Sequence, residues 1–185
     1  MKKYFIQYKP FLLFLGKFLL SYLILTFLYQ TYLNQFDAKQ NELDGVTKAV
    51  AHQSTEILSW FDAQCYTIPH EKEPSMKVFY HNKYVSRIIE GCNGLSVIIL
   101  FASFIFAFSG KWPITIIYIT LGSFLIHVLN LIRIALLNAA LFYFPEYQHP
   151  LHGVIFPLFI YGVVFLLWVI WVNKFSFYAK KSVKK

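Results

Sequence analysis

Apolar residues gather into four long runs, at 11–33, 94–109, 113–144 and 153–172, and the largest polar stretch between them is 34–90. A helix needs about 20 mainly apolar residues to cross a hydrocarbon core roughly 30 Å thick. The pattern therefore predicts an all-α polytopic membrane protein with four main transmembrane helices. The third run is too long for one crossing, since its 32 residues would rise about 48 Å as a helix. From Pro113 to Arg133 is 21 residues, or about 31 Å by the same rise, which brings Arg133 to an interface. Residues 134–144 are then expected to form an interfacial or re-entrant helix, because their surface is too apolar for water.

Within 34–90, Leu43, Val46, Val50, Ile57, Leu58 and Phe61 recur at roughly helical spacing, so 42–61 reads as an amphipathic helix lying over the bundle. Beyond Pro69 and Pro74, residues 77–80 and 84–88 are rich in aromatic and β-branched side chains on either side of His81, Asn82 and Lys83. That pattern predicts a short hairpin, making a small α+β segment that delivers the chain into Gly91 and Cys92. The chain divides into an N-terminus with its anchor (1–33), an extracytoplasmic segment (34–90), a membrane core carrying the chemistry (91–175) and a basic tail (176–185). It has no internal repeat, low-complexity stretch or Gly-rich phosphate loop.

Composition agrees with a bilayer as the chain's solvent: 57% of residues are hydrophobic, 20% aromatic and only 14% charged, against about 25% charged in soluble domains. Lys2, Lys3 and Lys9 precede the first run as in a secretory signal. The run is longer than a signal's apolar core of about 7–15 residues and lacks a small-residue cleavage site, so it is expected to stay as an anchor. Lys17 within it snorkels to the near interface. Lys111, Lys174, Lys180, Lys181, Lys184 and Lys185 fall on the same side as the N-terminal lysines, and the nine acids fall on the other. The positive-inside rule then puts both termini in the cytoplasm, with four crossings. The net charge of +8 is a topology signal and gives no reason to expect a nucleic-acid partner. In a bacterial cell the location would be the inner membrane, with 34–90 outside.

Three unusual groups come to one depth on that outer side. Cys92 heads the second run, Arg133 closes the first crossing of the third, and His152 precedes the last. An ionisable side chain within a span costs a few kcal/mol on insertion scales and is by default a functional candidate. Asn130 lies three residues before Arg133, on the same helical face, where its amide can orient the guanidinium or a substrate carbonyl. A thiol near pKa 8.5 is mostly protonated at neutral pH, and the thiolate is the nucleophile. A histidine base, a nearby cation and the positive end of the second helix all favour thiolate. In this arrangement Cys92 attacks a peptide carbonyl, His152 moves the proton, and Arg133 holds the thiolate or the developing oxyanion. Asn93 and Gly94, beside the nucleophile, are candidate substrate-orienting residues. His149 is the alternative base, although Pro150 argues against its sharing a helical face with His152. His127 is expected to be a hydrogen-bonded packing residue.

Other readings stay open. Cys92 can be half of a Cys65–Cys92 disulfide, the one intramolecular pairing two cysteines permit. A zinc site of Cys92 with both histidines lacks the usual ligand spacings, so no metal or cofactor is expected. A non-catalytic assembly or transport component with Arg133 on an anionic headgroup, or a membrane thiol acyltransferase, would also fit these residues.

Glu90, Gly91, Cys92, Asn93, Gly94 and Leu95, then Asn130, Leu131, Ile132, Arg133 and Ile134, then a histidine before a final span, together resemble the exosortase and archaeosortase family of membrane-embedded cysteine transpeptidases. The stretch from His152 through Pro157 to Tyr161 and Gly162, with Trp168 and Trp171 beyond, looks most like the exosortase F branch. The resemblance covers about residues 85–175. It implies a sortase-like reaction on secreted proteins that end in a C-terminal sorting signal of short motif, transmembrane helix and basic tail. Cys92 would form the acyl-enzyme, and an amine or water would release the product. The chain departs from larger exosortases in its fewer spans, its short Arg133 to His152 interval and its second histidine.

Overall fold

The computed structural model describes residues 2–37, 40–61, 64–108 and 110–176, with side chains from Tyr8 onward. Apart from Ser176, the basic tail expected at 176–185 lies outside the described residues. The elements in order are α1 (Lys2–Leu33), α2 (Gly45–Ser59), β1 (Cys65–Pro69), β2 (Met76–Tyr80), β3 (Lys83–Ile88), α3 (Leu95–Ala107), α4 (Trp112–Tyr143), α5 (Gln148–Pro150) and α6 (Phe156–Ile170).

Among the described residues, three helices are long and apolar enough to cross a membrane: Tyr8–Leu33, Trp112–Tyr143 and Pro145–Phe175. The expected second span, α3, is only 13 residues long, about 20 Å of rise. It is short because its ends are fixed by backbone geometry. Gly94 precedes it in the left-handed region at φ 80°, and Phe108 leaves it extended. The helix runs back along α1, with Asn93 donating from Nδ2 to Tyr29 Oη at 2.8 Å at one end and the Phe104 and Phe108 rings on Phe14 at the other. Phe101, Ile105, Ile126, Val164 and Trp171 form the apolar core between α3, α4 and the last rod. Gly122 allows this approach, since a Cβ there would lie 2.3 Å from Phe101 Cζ.

The third apolar run does not break near Arg133. It continues as one 32-residue helix to Tyr143, which corrects the expectation of an interfacial or re-entrant segment at 134–144. Residues of the 34–90 segment cover the apolar surface at its C-terminal end. Leu131 and Ile134 pack with Leu43, Val50, Ala51, Met76, Val78 and Ile88, and Ala135 with Leu58 and Tyr80. Burying that surface against protein removes it from water as well as a lipid interface would.

The hairpin forms between β2 and β3, turning at His81 and Asn82, both with positive φ, as in a tight two-residue turn. A third strand that the pattern did not predict, β1, completes an antiparallel sheet in the order β1-β2-β3. Met76, Val78 and Tyr80 alternate as the buried residues of β2, while β3 is left at an edge. The amphipathic helix is α2, started by Asp44, whose side chain accepts from the Thr47 amide at 2.9 Å and satisfies one of its unpaired first-turn donors.

The last rod is continuous from α5 through a wide π-turn (Leu151–Ile155) into α6 and a second π-turn (Trp171–Phe175). Pro157 has no N–H to return to the preceding turn. Just before it, the Phe156 amide reaches Leu151 O, five residues back, in the widened geometry that often marks a functional site. That turn carries His152.

Candidate active site

Cys92 sits at the junction of the sheet and α3. From β3 the chain passes Ile89 and makes a tight turn, Glu90–Cys92, closed by the Cys92 amide donating to Ile89 O at 2.9 Å. Gly94 follows with its positive φ, and a Cβ there would stand 3.1 Å from Asn130 Nδ2. Both the left-handed backbone and the close approach of α4 require glycine at this position. Cys92 is half-buried and packs against the cluster that joins α2, the sheet and α4.

Asn93 turns the other way and is buried. Its amide donates to Tyr29 Oη at 2.8 Å and Thr47 Oγ1 at 3.1 Å, and its Oδ1 accepts from the Leu95 amide at 2.9 Å. Both amide hydrogens and the oxygen are thus used by α1, α2 and α3, which corrects the expectation that Asn93 orients substrate. Gly94 likewise shapes the backbone.

On α4, Asn130 is 1% exposed and faces the cysteine turn. It donates from Nδ2 to Cys92 O at 2.9 Å, and its Oδ1 accepts from Arg133 Nη1 at 3.2 Å. Arg133 Nε is buried and, among the described residues, has no hydrogen-bond partner. The guanidinium is in electrostatic reach of Cys92 and Tyr161, and His152 is in reach of the guanidinium.

Cys92, Arg133 and His152 line one cavity of about 440 Å³, together with residues 84–89, Ile134, Leu137, Asn138, Leu141 and Gln148. The cavity brings together the three candidate groups from separate stretches of chain. His149 is outside it. It lines a neighbouring hollow of about 400 Å³ with Glu146, Gln148 and His152. The two histidines do share one side of the rod, because Pro150 lies close to its start, where proline is tolerated. Of the two histidines, only His152 lines both spaces.

Cys65 and Cys92 are not bridged. Cys65 is in β1, packed near Leu58 and Tyr80. Among the described residues, no group of three His, Cys, Asp or Glu is placed to hold a metal ion. His127 bonds Gln53 Oε1 at 3.0 Å from its Nε2, a packing contact of α4 with α2.

Sequence reasoning missed Ser86, Asn138, Gln148 and Tyr161. Ser86 donates to Asn138 Oδ1 at 2.6 Å, and Asn138 Nδ2 donates back to Ile134 O at 2.8 Å, fastening β3 to α4. A second asparagine about two turns beyond Asn130, on the same side of α4, was the one available signal.

The model of the transmembrane exosortases (Exosortase_EpsH) matches residues 11–172. These apolar helices, with a cysteine, an arginine and a histidine on one cavity, are those of a multi-pass membrane protein of the exosortase type. The chain belongs to the transmembrane exosortase family. No curated protein matches it, and neither does any solved structure.

Proposed function

We propose that the chain is a cysteine transpeptidase of the exosortase type, acting on C-terminal sorting signals of secreted proteins at the outer face of the membrane. The observation that carries this reading is the single cavity lined by Cys92, Arg133 and His152, with Asn130 joining the cysteine turn to the guanidinium. His152 takes the thiol proton, and the Cys92 sulfur attacks the scissile carbonyl carbon. Arg133, whose Nε has no partner among the described residues, stabilises the oxyanion. As the C–N bond breaks, His152 returns the proton to the leaving amine. An acceptor amine or water then attacks the thioester and releases the thiol.

Four crossings with both termini cytoplasmic belong to the same reading, and α3 acts as the short second crossing beside α1. The exosortase F branch is the expected subtype, from the residues between His152 and Trp171. The test is replacement of Cys92 by Ser in the source cells. Secreted proteins that keep an apolar helix and basic tail should then accumulate uncleaved, and intact-mass analysis of the unaltered chain should show a peptide adduct on Cys92. Normal processing in the Cys92→Ser cells overturns the reading, and a fatty-acyl adduct on Cys92 replaces it with a thiol acyltransferase.

A further inference from the structure

Successive side chains of a strand point to opposite faces, so a space that touches six consecutive residues of a strand and its exit lies along the strand's edge. The cavity holding Cys92 is lined by all of residues 84–89. Those residues belong to β3 and the residue after it, and among the described residues β3 is an edge strand of the sheet, paired only with β2. Alternate N–H and C=O groups of an edge strand point away from its one neighbour. Here they point into the cavity that contains the nucleophile.

We propose that β3 is the recognition strand of this site. An extended segment of the substrate polypeptide adds to it as a fourth strand, and that pairing carries the scissile bond to Cys92. The inference rests on the transpeptidase reading above, and it names how that site reads its substrate.

The geometry fixes length and direction. Arg133, Leu137 and Leu141 line the cavity at four-residue intervals on one face of α4, so the slot runs about 12 Å along that helix. That is the length of about four extended residues. The Ser86–Asn138 bond fastens β3 to α4, which fixes one wall, and Gln148 and His152 form the other. β3 descends antiparallel to α4. Near its start, the His81 ring stacks on Phe142 and Lys83 Nζ lies over the same ring. Its end, Ile88, packs with Leu131 and Ile134. A substrate whose folded part lies outside and whose helix lies in the bilayer descends in the same sense, so the added strand is parallel to β3. Its side chains alternate between the apolar wall of Leu137 and Leu141 and the polar side at Gln148.

This pairing recognises backbone first and side chains second, as strand addition does elsewhere, and the test follows from it. The probe is a peptide library with a randomised extended segment ahead of an apolar helix and a lysine tail, incubated with the full-length protein in lipid nanodiscs. Intact mass identifies the members that acylate Cys92. Single backbone N-methyl groups are then scanned along one reactive peptide. Hydrogen exchange of residues 84–89 is measured with that peptide on the Cys92→Ala protein.

The expected result is a roughly tenfold fall in acylation rate at every second position of a stretch of about four residues, with slowed exchange along β3. Adducts on Cys92 without that alternation, or with β3 exchange unchanged, overturn the strand while leaving the transpeptidase reading intact. A folded protein that no library member acylates overturns that reading, and the strand falls with it.

Discussion

Asn130 connects the backbone of Cys92 to the guanidinium of Arg133, donating to Cys92 O at 2.9 Å while accepting from Arg133 Nη1 at 3.2 Å. One amide thus sets the distance between α4 and the turn before α3. Because Asn130 is 1% exposed, water does not replace it when it is removed. Asn130→Ala leaves a carbonyl and an N–H without their partner, a cost of about 1–3 kcal/mol. It also frees the cysteine turn to shift, and a misplacement near 1 Å is worth about a hundredfold in rate. Thermal unfolding in nanodiscs should show the modest loss of stability, and Cys92 acylation the larger loss of rate. A variant that melts lower yet acylates at the original rate contradicts this coupling.

Gly94→Ala brings two costs to the same place. Its φ of 80° is worth about 1–2 kcal/mol against any residue with a Cβ, and the added carbon stands 3.1 Å from Asn130 Nδ2. Gly91 and Gly153, which also flank site residues, have nothing within 4 Å of such a carbon. Alanine at 94 should therefore lower both stability and acylation, whereas alanine at 91 or 153 leaves both within error. Equal effects at all three positions would mean that flexibility, and not the approach of Asn130, governs this turn.

Much of this site was legible in the chain, and the reasons differ by residue. Cys92, Arg133 and His152 stand out because ionisable or nucleophilic groups at the edge of an apolar run are expensive to put there. The hairpin was readable from local residue types around His81 and Asn82, and α2 from its apolar period. β1 was not, since Cys65–Pro69 is a five-residue strand ending in proline, and proline in a short run argues against a strand. Nor was the full length of α4. The apolar surface at 134–143 demanded cover, but the cover comes from Leu43, Val50 and Val78, more than fifty residues earlier, and no local period encodes that contact. Asn93 misled for the opposite reason. Its position beside Cys92 suggested substrate, while its side chain is used by Tyr29 and Thr47 from other helices.

Asn93→Ala is accordingly a stability variant. It removes three hydrogen bonds, two of them the link between α1, α2 and the head of α3, and leaves the buried Thr47 hydroxyl without its donor. A loss of about 2–4 kcal/mol follows from summing such bonds at roughly 1 kcal/mol each and adding a desolvation penalty. The melt should shift clearly, while the fraction that remains folded selects the same peptides as the original chain. A changed peptide preference in the folded fraction would restore a substrate role.

The two histidines can be separated without knowing any substrate, because thiolate formation alone changes the reactivity of Cys92. In a Cys65→Ala background, alkylation of Cys92 by iodoacetamide at neutral pH reports its thiolate fraction. Cys65 packs in a different cluster and forms no bridge with Cys92, so that replacement should leave the site intact. His152 lines the Cys92 cavity, whereas His149 lines only the neighbouring hollow. His152→Ala should slow alkylation by about tenfold, the low end of what a positioned base contributes, and His149→Ala should leave the rate unchanged. Arg133→Gln should slow it as well, by removing the cation that favours the thiolate. If His149→Ala gives the larger effect, the proton moves through the outer hollow, and His152 serves only to widen the turn that carries it.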